Sequence, residues 1–267
     1  MKRLHAFFSI LLFAGLLFSS FSCARAEESF CLEGCPLGTS THNTEIIGHI
    51  LQLSNNPETK FADWVAYEIT SETLGSKCAR KWKRDPALDP AITLTPMDYK
   101  GVKVALASDR GHQAPLASLC GSPYQYEANY LSNITPQKSA LNQGAWEHLE
   151  ARERKLIRDN IAEAVYSITG PLYERHMPNL PYAHLKHVVP SAYWKIISVQ
   201  KGPVIQTAAF IMDQETRRDT DFCQLSVGIS EIESRAHLRF FPDMDKRERE
   251  GLKQDIRQSS LLADLGC

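Results

Sequence analysis

Apolar and polar positions along this chain fall into short blocks of two different periods. Phe61–Ile69 (FADWVAYEI), Ala164–Ile168, Ala192–Val199 and Val204–Met212 bring Tyr, Trp, Val and Ile back at short intervals, which predicts strands. Val102–Ala107 (VKVALA) alternates in the same way and predicts a further strand. From Asn142 to about Asp159 the period changes: Trp146, Leu149, Leu156 and Ile157 recur at helical spacing. A second helix is expected near Ser230–His237, where Ile232 and Leu238 are apolar. Strands and helices do not follow a regular βαβ rhythm, so the expected class is α+β with a largely antiparallel sheet.

Two acids on the first of these helices interrupt its apolar stripe. Glu150 falls close to Trp146 and Ile157 at a hundred degrees per residue, and Glu153 lies on the stripe as well. A carboxylate on a core-facing stripe must be paired, liganded or at the wall of a cavity, and the wheel does not choose between the two. For Glu150 and Arg154 the alternative is an i,i+4 surface ion pair worth about a few tenths of a kcal/mol.

The N-terminus has a different logic. Lys2 and Arg3 precede the apolar run Phe7–Phe18, and Ala24-Arg25-Ala26 offers small residues where a signal peptidase reads, which predicts cleavage before Glu27. The apolar run is too short for a good membrane span, so no stable membrane association is expected. Ser20-Phe21-Ser22 before Cys23 makes a poor lipobox. Residues 1–26 are thus expected to be a removed signal peptide, and 27–267, which carry no linker or repeat, a single domain. Losing Lys2, Arg3 and Arg25 moves the formal net charge from −1 to −4. That excludes a globally basic nucleic-acid coat and leans towards an enzyme that confines positive charge to its cleft.

Export also changes how the cysteines are read. Beyond Cys23 there are six, Cys31, Cys35, Cys78, Cys120, Cys223 and Cys267, an even number with fifteen pairings open. Cys31 and Cys35 are near enough to staple a local loop, and a bridge at Cys267 would stop the C-terminus from fraying. Zinc is disfavoured, because paired Cys-x-x-Cys spacing is missing and the compartment is oxidising.

Candidate chemistry is concentrated between Asp109 and Glu150. Asp109-Arg110-Gly111-His112 supplies an imidazole and a guanidinium, and Asn129, Asn133, Asn142 and Glu150 follow. A base for water, a cation for phosphate and oxygen ligands for Mg²⁺ form a toolkit for attacking a phosphodiester at a metal-bound site. The blocks DRGHQAPLAS (Asp109–Ser118), NYLSNITPQKSALNQGAW (Asn129–Trp146) and LEARERKLI (Leu149–Ile157) resemble the DNA/RNA non-specific endonucleases. Thr59–Thr70, Trp82–Pro90, Thr169–Arg175 and Pro190–Lys195 extend the resemblance over most of the chain after the signal segment, with Arg239–Leu265 the weakest part.

The resemblance implies a ββα-metal fold with a six-stranded central sheet between helices, one Mg²⁺ (Mn²⁺ able to substitute), and cleavage of single- and double-stranded DNA and RNA to 5′-phosphorylated products. It places the general base on His112 and the only direct protein ligand of the metal on Asn142. Glu150 falls where the family holds a metal-bound water, and Arg80 where an arginine stabilises the pentavalent phosphorane. Arg110 and Arg154 match arginines that contact phosphate or orient the site, Asn129 and Asn133 match amides that shape the substrate cleft, and Asp109 matches a structural position. It further implies Cys31–Cys35 and Cys223–Cys267 bridges. Cys78 and Cys120 lie outside the family's pattern; a third bridge between them would tie two catalytic segments together.

A homodimer is admitted by the resemblance alone, and location is expected to be secreted or periplasmic. The rival readings are an exported nucleic-acid-binding protein without turnover and an imported organelle nuclease, whose transit peptide would be amphipathic and Arg-rich. Remaining features have plainer readings. His184-x-x-His187 has metal-like spacing but sits in a Pro- and Tyr-rich loop. Asn133-Ile134-Thr135 is a glycosylation sequon that would block the cleft if used. Lys246–Glu250 is expected to be a solvated helix face. Tyr124, Tyr126 and Tyr130 can either stack bases or pack a loop.

Overall fold

In a computed structural model, described for residues 30–254 and 260–267, three strands open the chain: β1 (Thr44–Ile47), β2 (Gln52–Asn55) and β3 (Ala62–Ile69). Helix α1 (Val102–Leu106), β4 (Ser108–His112) and α2 (Leu116–Leu119) follow, then β5 (Ile134–Lys138), α3 (Ser139–Asn142) and α4 (Ala145–Arg158). The second half holds β6 (Val165–Leu172), β7 (Ala192–Lys201), β8 (Val204–Asp213), β9 (Ser226–Val227), α5 (Ile229–Ala236), α6 (Lys246–Gln254) and α7 (Ser260–Asp264). The expected signal segment lies outside the described residues.

The sheet runs β1-β2-β3-β6-β7-β8-β9, antiparallel at every step. It therefore has seven strands where six were expected, the last being a two-residue ribbon against β8. β7 and β8 form its longest ladder, turned by Gly202 at φ 60°. Both faces are covered, which is why its strands read as near-continuous apolar runs. Val65, Tyr67, Ile69, Tyr193 and Ile197 pack towards Trp146, Leu149 and Leu156 of α4. Trp64, Ala66, Trp194 and Ile196 point the other way, onto Ile229 and Ile232 of α5 and onto Phe240 and Phe241. The result is a largely antiparallel sheet between helical layers, the α+β class expected. No helix of the described residues is long and apolar enough to cross a membrane.

Two local expectations were wrong. Val102–Ala107 is the helix α1, not a strand: its alternation also places Val102 and Leu106 one turn apart, on the face that packs with Tyr99 and Ile134, while Val104 is left 93% exposed. Left-handed residues at both ends, Gly101 (φ 71°) and Ala107 (φ 50°), confine the helix to this one stretch. The long helix begins at Ala145, so Asn142 belongs to the separate turn α3. Gly144 makes the break, with φ −124° and ψ −119°; a Cβ there would come within 2.5 Å of the Ala140 carbonyl oxygen.

Among the described residues the disulfides are Cys31–Cys35, Cys78–Cys120 and Cys223–Cys267, including the bridge outside the family pattern. α6 is a largely exposed basic and acidic helix, as its charges suggested.

Candidate active site

β4 and β5 form a two-stranded hairpin apart from the main sheet, pairing His112 with Ile134 and Asp109 with Gln137. Gly111 permits this close pairing, because a Cβ there would meet the Gln137 side chain at 2.7 Å. The chain passes directly from β5 into α3 and then α4, so hairpin and helix form one ββα unit. Between them lies a cleft of about 550 Å³, walled by His112, Asn142, Glu150, Arg80, Arg110 and Arg154. Six of the expected site residues are thus brought together. Asn129 and Asn133 are not among the cleft's walls.

His112 is held from two sides. Trp82 lies 5.1 Å from the imidazole, centroid to centroid, and Asn129 Oδ1 lies 3.4 Å from Nε2. The Asn129 amide is oriented by its own donation from Nδ2 to the Ala79 carbonyl at 2.9 Å, so its oxygen faces the ring. A neutral imidazole here carries its proton on Nε2 and keeps Nδ1 as an acceptor. Burial holds its pKa down, to about 4; the Asn129 contact opposes this and the Arg80 charge adds to it. The ring is only partly accessible, so it stays neutral through the ordinary pH range.

Asn142 is oriented by Asp109. Asn142 Nδ2 and Gln143 Nε2 donate to Asp109 Oδ2 at 3.2 and 2.6 Å, which leaves the Asn142 amide oxygen for the cleft. Burial would raise the Asp109 pKa, but these donors and the Lys103 charge outweigh it and hold the carboxyl below its usual range. Asp109 therefore supports the site as an ionised clamp.

The ambiguity between Glu150 and Glu153 is resolved by depth. Glu153 is fully buried under α4, where Lys195 Nζ, Ser167 Oγ and Tyr67 OH reach it at 3.0, 2.5 and 3.1 Å. Glu150, three residues earlier on the helix and only partly buried, lines the cleft. Burial pushes its pKa up to about 7; Lys195 and Arg154 lower it, and Glu153 and Glu147 raise it. Arg154 donates to Glu147 at 3.4 Å through Nη2, while its buried Nη1 has no protein partner. Arg110 donates to the Pro96 carbonyl at 3.0 Å and lies 5.6 Å from the centroids of both Trp82 and Tyr99, with a buried Nε unpartnered. Guanidinium N–H groups unspent beside a cleft suit an anionic ligand. Arg80 is exposed at the rim.

The two amides expected to shape the substrate cleft stand behind its walls. Asn133 is completely buried: its oxygen accepts from Ala114 N at 2.8 Å, and its Nδ2 donates to the Ala114 and Ala128 carbonyls at 2.9 Å. Both Nδ2 hydrogens and the oxygen are engaged by backbone, so Asn133 pins the loop after His112. Its burial equally removes the sequon from glycosylation. Asn129, also fully buried, touches His112 instead of the cleft.

His184 and His187 do not converge on a metal. His184 Nδ1 pairs with Asp98 at 2.5 Å, and the two ring nitrogens of His187 are engaged by Leu180 N and the Leu185 carbonyl. Among the described residues no group of three or more His, Cys, Asp or Glu side chains could hold a metal. The donor set that is present, one amide oxygen with a carboxylate nearby, fits a hard cation that keeps most of its waters, as Mg²⁺ does. Sequence reasoning missed Trp82 and Gln143 as parts of the site. A tryptophan inside a basic stretch was the only available signal for the first.

Hairpin, break and helix, with His, Asn, Glu and Arg around one cleft, define an endonuclease of the ββα-metal class. A family model for DNA/RNA non-specific endonuclease matches residues 32–247. The nuclease of Serratia marcescens is 50% identical over 253 residues, covering 94% of this chain and 92% of that protein. The mitochondrial nuclease EXOG of Xenopus laevis is 30% identical, over 85% of this chain and 65% of its own length. A chain from the crystal structure of the EndoG/EndoGI complex shares the fold, with a TM-score of 0.66 at 24% identity, over 79% of this chain and 90% of that one. The chain belongs to the DNA/RNA non-specific endonuclease family.

Proposed function

We propose that residues 27–267 act as one secreted or periplasmic, Mg²⁺-dependent endonuclease domain that hydrolyses single- and double-stranded DNA and RNA. The observation that supports this reading is His112 and Asn142 in one cleft, the imidazole Nε2 turned to Asn129 and the Asn142 amide held by Asp109. Nδ1 takes a proton from water as that water attacks phosphorus. The P–O3′ bond breaks and the departing 3′-oxygen takes a proton from solvent water, while His112 later returns its proton to solvent, leaving a 5′-phosphate on one product and a 3′-hydroxyl on the other. Asn142 would hold the cation directly, and Glu150 would hold one of its waters of hydration. When bound, Mg²⁺ would supply positive charge to the phosphoryl oxygen and the departing 3′-oxygen.

Arg80 places permanent planar charge where negative charge develops, and Arg110 and Arg154 grip phosphate oxygens. Contacts of this kind read the backbone and not base edges, in keeping with activity on many sequences. The three disulfides support an oxidising location outside the cytoplasm.

The test uses the purified chain from Glu27 onward with supercoiled plasmid and total RNA, in Mg²⁺ and in EDTA. Wild type should degrade both only with Mg²⁺, and His112→Ala should lose several powers of ten in kcat while keeping its fold. Asn142→Ala should need far more Mg²⁺ for half-maximal rate. No cleavage by folded, oxidised protein in Mg²⁺ or Mn²⁺ would return the weight to a nucleic-acid binder without turnover.

A further inference from the structure

The cleft accommodates the scissile phosphate and its nearest nucleotides, so a polymeric substrate must continue across the surface. One strip beside the cleft has the chemistry to receive it. Between Cys78 and Asp85 lie Arg80, Lys81, Lys83 and Arg84, with Lys77 just before, and all five are exposed. None of the five forms an ion pair among the described residues, in a chain whose overall formal charge is −1. Unpaired cations concentrated in one segment of an otherwise acidic-to-neutral protein mark where a polyanion is drawn.

The segment is held in place along its length. Ala79 N donates to Gln125 Oε1 at 3.2 Å, and Asn129 Nδ2 donates to the Ala79 carbonyl. Lys83 is bridged in parallel to Tyr130, and Leu131 N donates to the Lys83 carbonyl at 2.9 Å. The Cys78–Cys120 bridge closes the other end. The segment it lies against carries three tyrosines in series. Tyr124 and Tyr126 have centroids 6.3 Å apart, and Tyr126 and Tyr130 6.0 Å. Tyr124 and Tyr126 are 38% and 44% exposed. Tyr124 is also braced from behind: His49 stacks on it at 3.7 Å, nearly parallel, and is itself fixed by Glu127 at 2.6 Å. A ring stacked on one face by His49 that still keeps over a third of its surface exposed can serve as a platform.

We propose that single-stranded nucleic acid leaves the cleft past Trp82 and continues along this strip. Its phosphates lie against Lys81, Lys83 and Arg84, and its unpaired bases stack on Tyr124 and Tyr126. Aromatic faces take any unstacked base without reading sequence, whereas the bases of an intact duplex are already stacked on each other and are not available. The strip therefore favours single strands over duplex. The inference rests on the nuclease reading above for its substrate, but its main readout does not need turnover.

The experiment measures binding of a fluorescein-labelled 20-nucleotide oligo(dT), and of a mixed-sequence duplex of equal length, in EDTA by anisotropy. Tyr124→Ala/Tyr126→Ala should weaken oligo(dT) binding by about tenfold or more and leave the duplex nearly unchanged. Tyr124→Phe/Tyr126→Phe, which keeps the rings, should retain wild-type affinity. Lys81→Gln/Lys83→Gln/Arg84→Gln should weaken binding and flatten the salt dependence of log Kd by about two, as expected for the loss of three single-strand phosphate contacts. In Mg²⁺, the Tyr→Ala pair should raise KM for the long single strand with kcat on a dinucleotide unchanged.

Unaltered oligo(dT) affinity in both variant sets would overturn the proposal. So would equal losses on duplex and single strand in the Tyr→Ala pair, or a change in sedimentation in place of one in Kd, which would mark the tyrosines as a contact between copies of this chain. Absence of cleavage by wild type with intact, Tyr-dependent oligo(dT) binding would refute the nuclease reading and leave the strip standing.

Discussion

Helix α4 presents Glu150 and Arg154 to the cleft, and its underside is tied to the sheet by a buried charge. Lys195 Nζ is wholly inaccessible, with the Tyr67 hydroxyl at 2.7 Å, Glu153 Oε2 at 3.0 Å and the Trp146 ring centroid at 5.0 Å. Lys195→Met removes the cation and leaves the Glu153 carboxylate with only Ser167 and Tyr67 as donors. Breaking one side of such a pair costs about 3–5 kcal/mol, because the desolvated charge that remains has no counter-ion. Adding Glu153→Gln removes that charge while keeping acceptors for Ser167 and Tyr67, and should return at least about 2 kcal/mol. In urea at pH 7, with disulfides intact, the single variant should shift the midpoint down by about 1–2 M and the double variant by distinctly less. A negligible shift for Lys195→Met, or a double variant whose loss equals the sum of the two singles, would refute this account of the pair. Because the same network holds the helix that carries Glu150, the folded single variant should also lose rate below its unfolding midpoint.

Three further outcomes follow from the geometry. Asn133→Ala leaves the Ala114 amide and two carbonyls without their buried partner, so it should lower stability by about 2–4 kcal/mol with KM for DNA unchanged; a raised KM at wild-type Tm would restore it to the substrate site. Cys78→Ser/Cys120→Ser opens a loop with a sequence separation of 42 and should cost about 2–4 kcal/mol in thermal unfolding, whereas an unchanged Tm would mean the bridge constrains nothing. His112 has a folded pKa of about 4 against an ordinary 6.5, so below pH 6.5 the unfolded chain binds a proton that the folded chain refuses. Stability should therefore fall by about 3 kcal/mol between pH 6.5 and pH 4 on this account, and His112→Gln should remove that part of the loss. Parallel wild-type and His112→Gln curves over that window would show the imidazole to be unperturbed.

The sequence determined the elements whose own residues specify them. The strands around Tyr67, Trp194 and Phe210 announced themselves because both faces of the sheet are covered, so nearly every position is apolar. The long helix did so through Trp146, Leu149, Leu156 and Ile157, and His112, Asn142 and Glu150 through the blocks they stand in. Tertiary structure decided what periodicity cannot express. VKVALA satisfies both periods, and only packing on Tyr99 and Ile134 selects the helix. Glu150 and Glu153 share one stripe, and only a buried Lys195, arriving from a strand 42 residues away from Glu153, draws one acid inwards and leaves the other at the cleft. Asn129 and Asn133 looked alike as polar residues of one segment, yet the first orients the imidazole and the second is consumed by backbone. A side chain's chemistry is local, but its burial and its partners are set by chain segments that meet only in the fold.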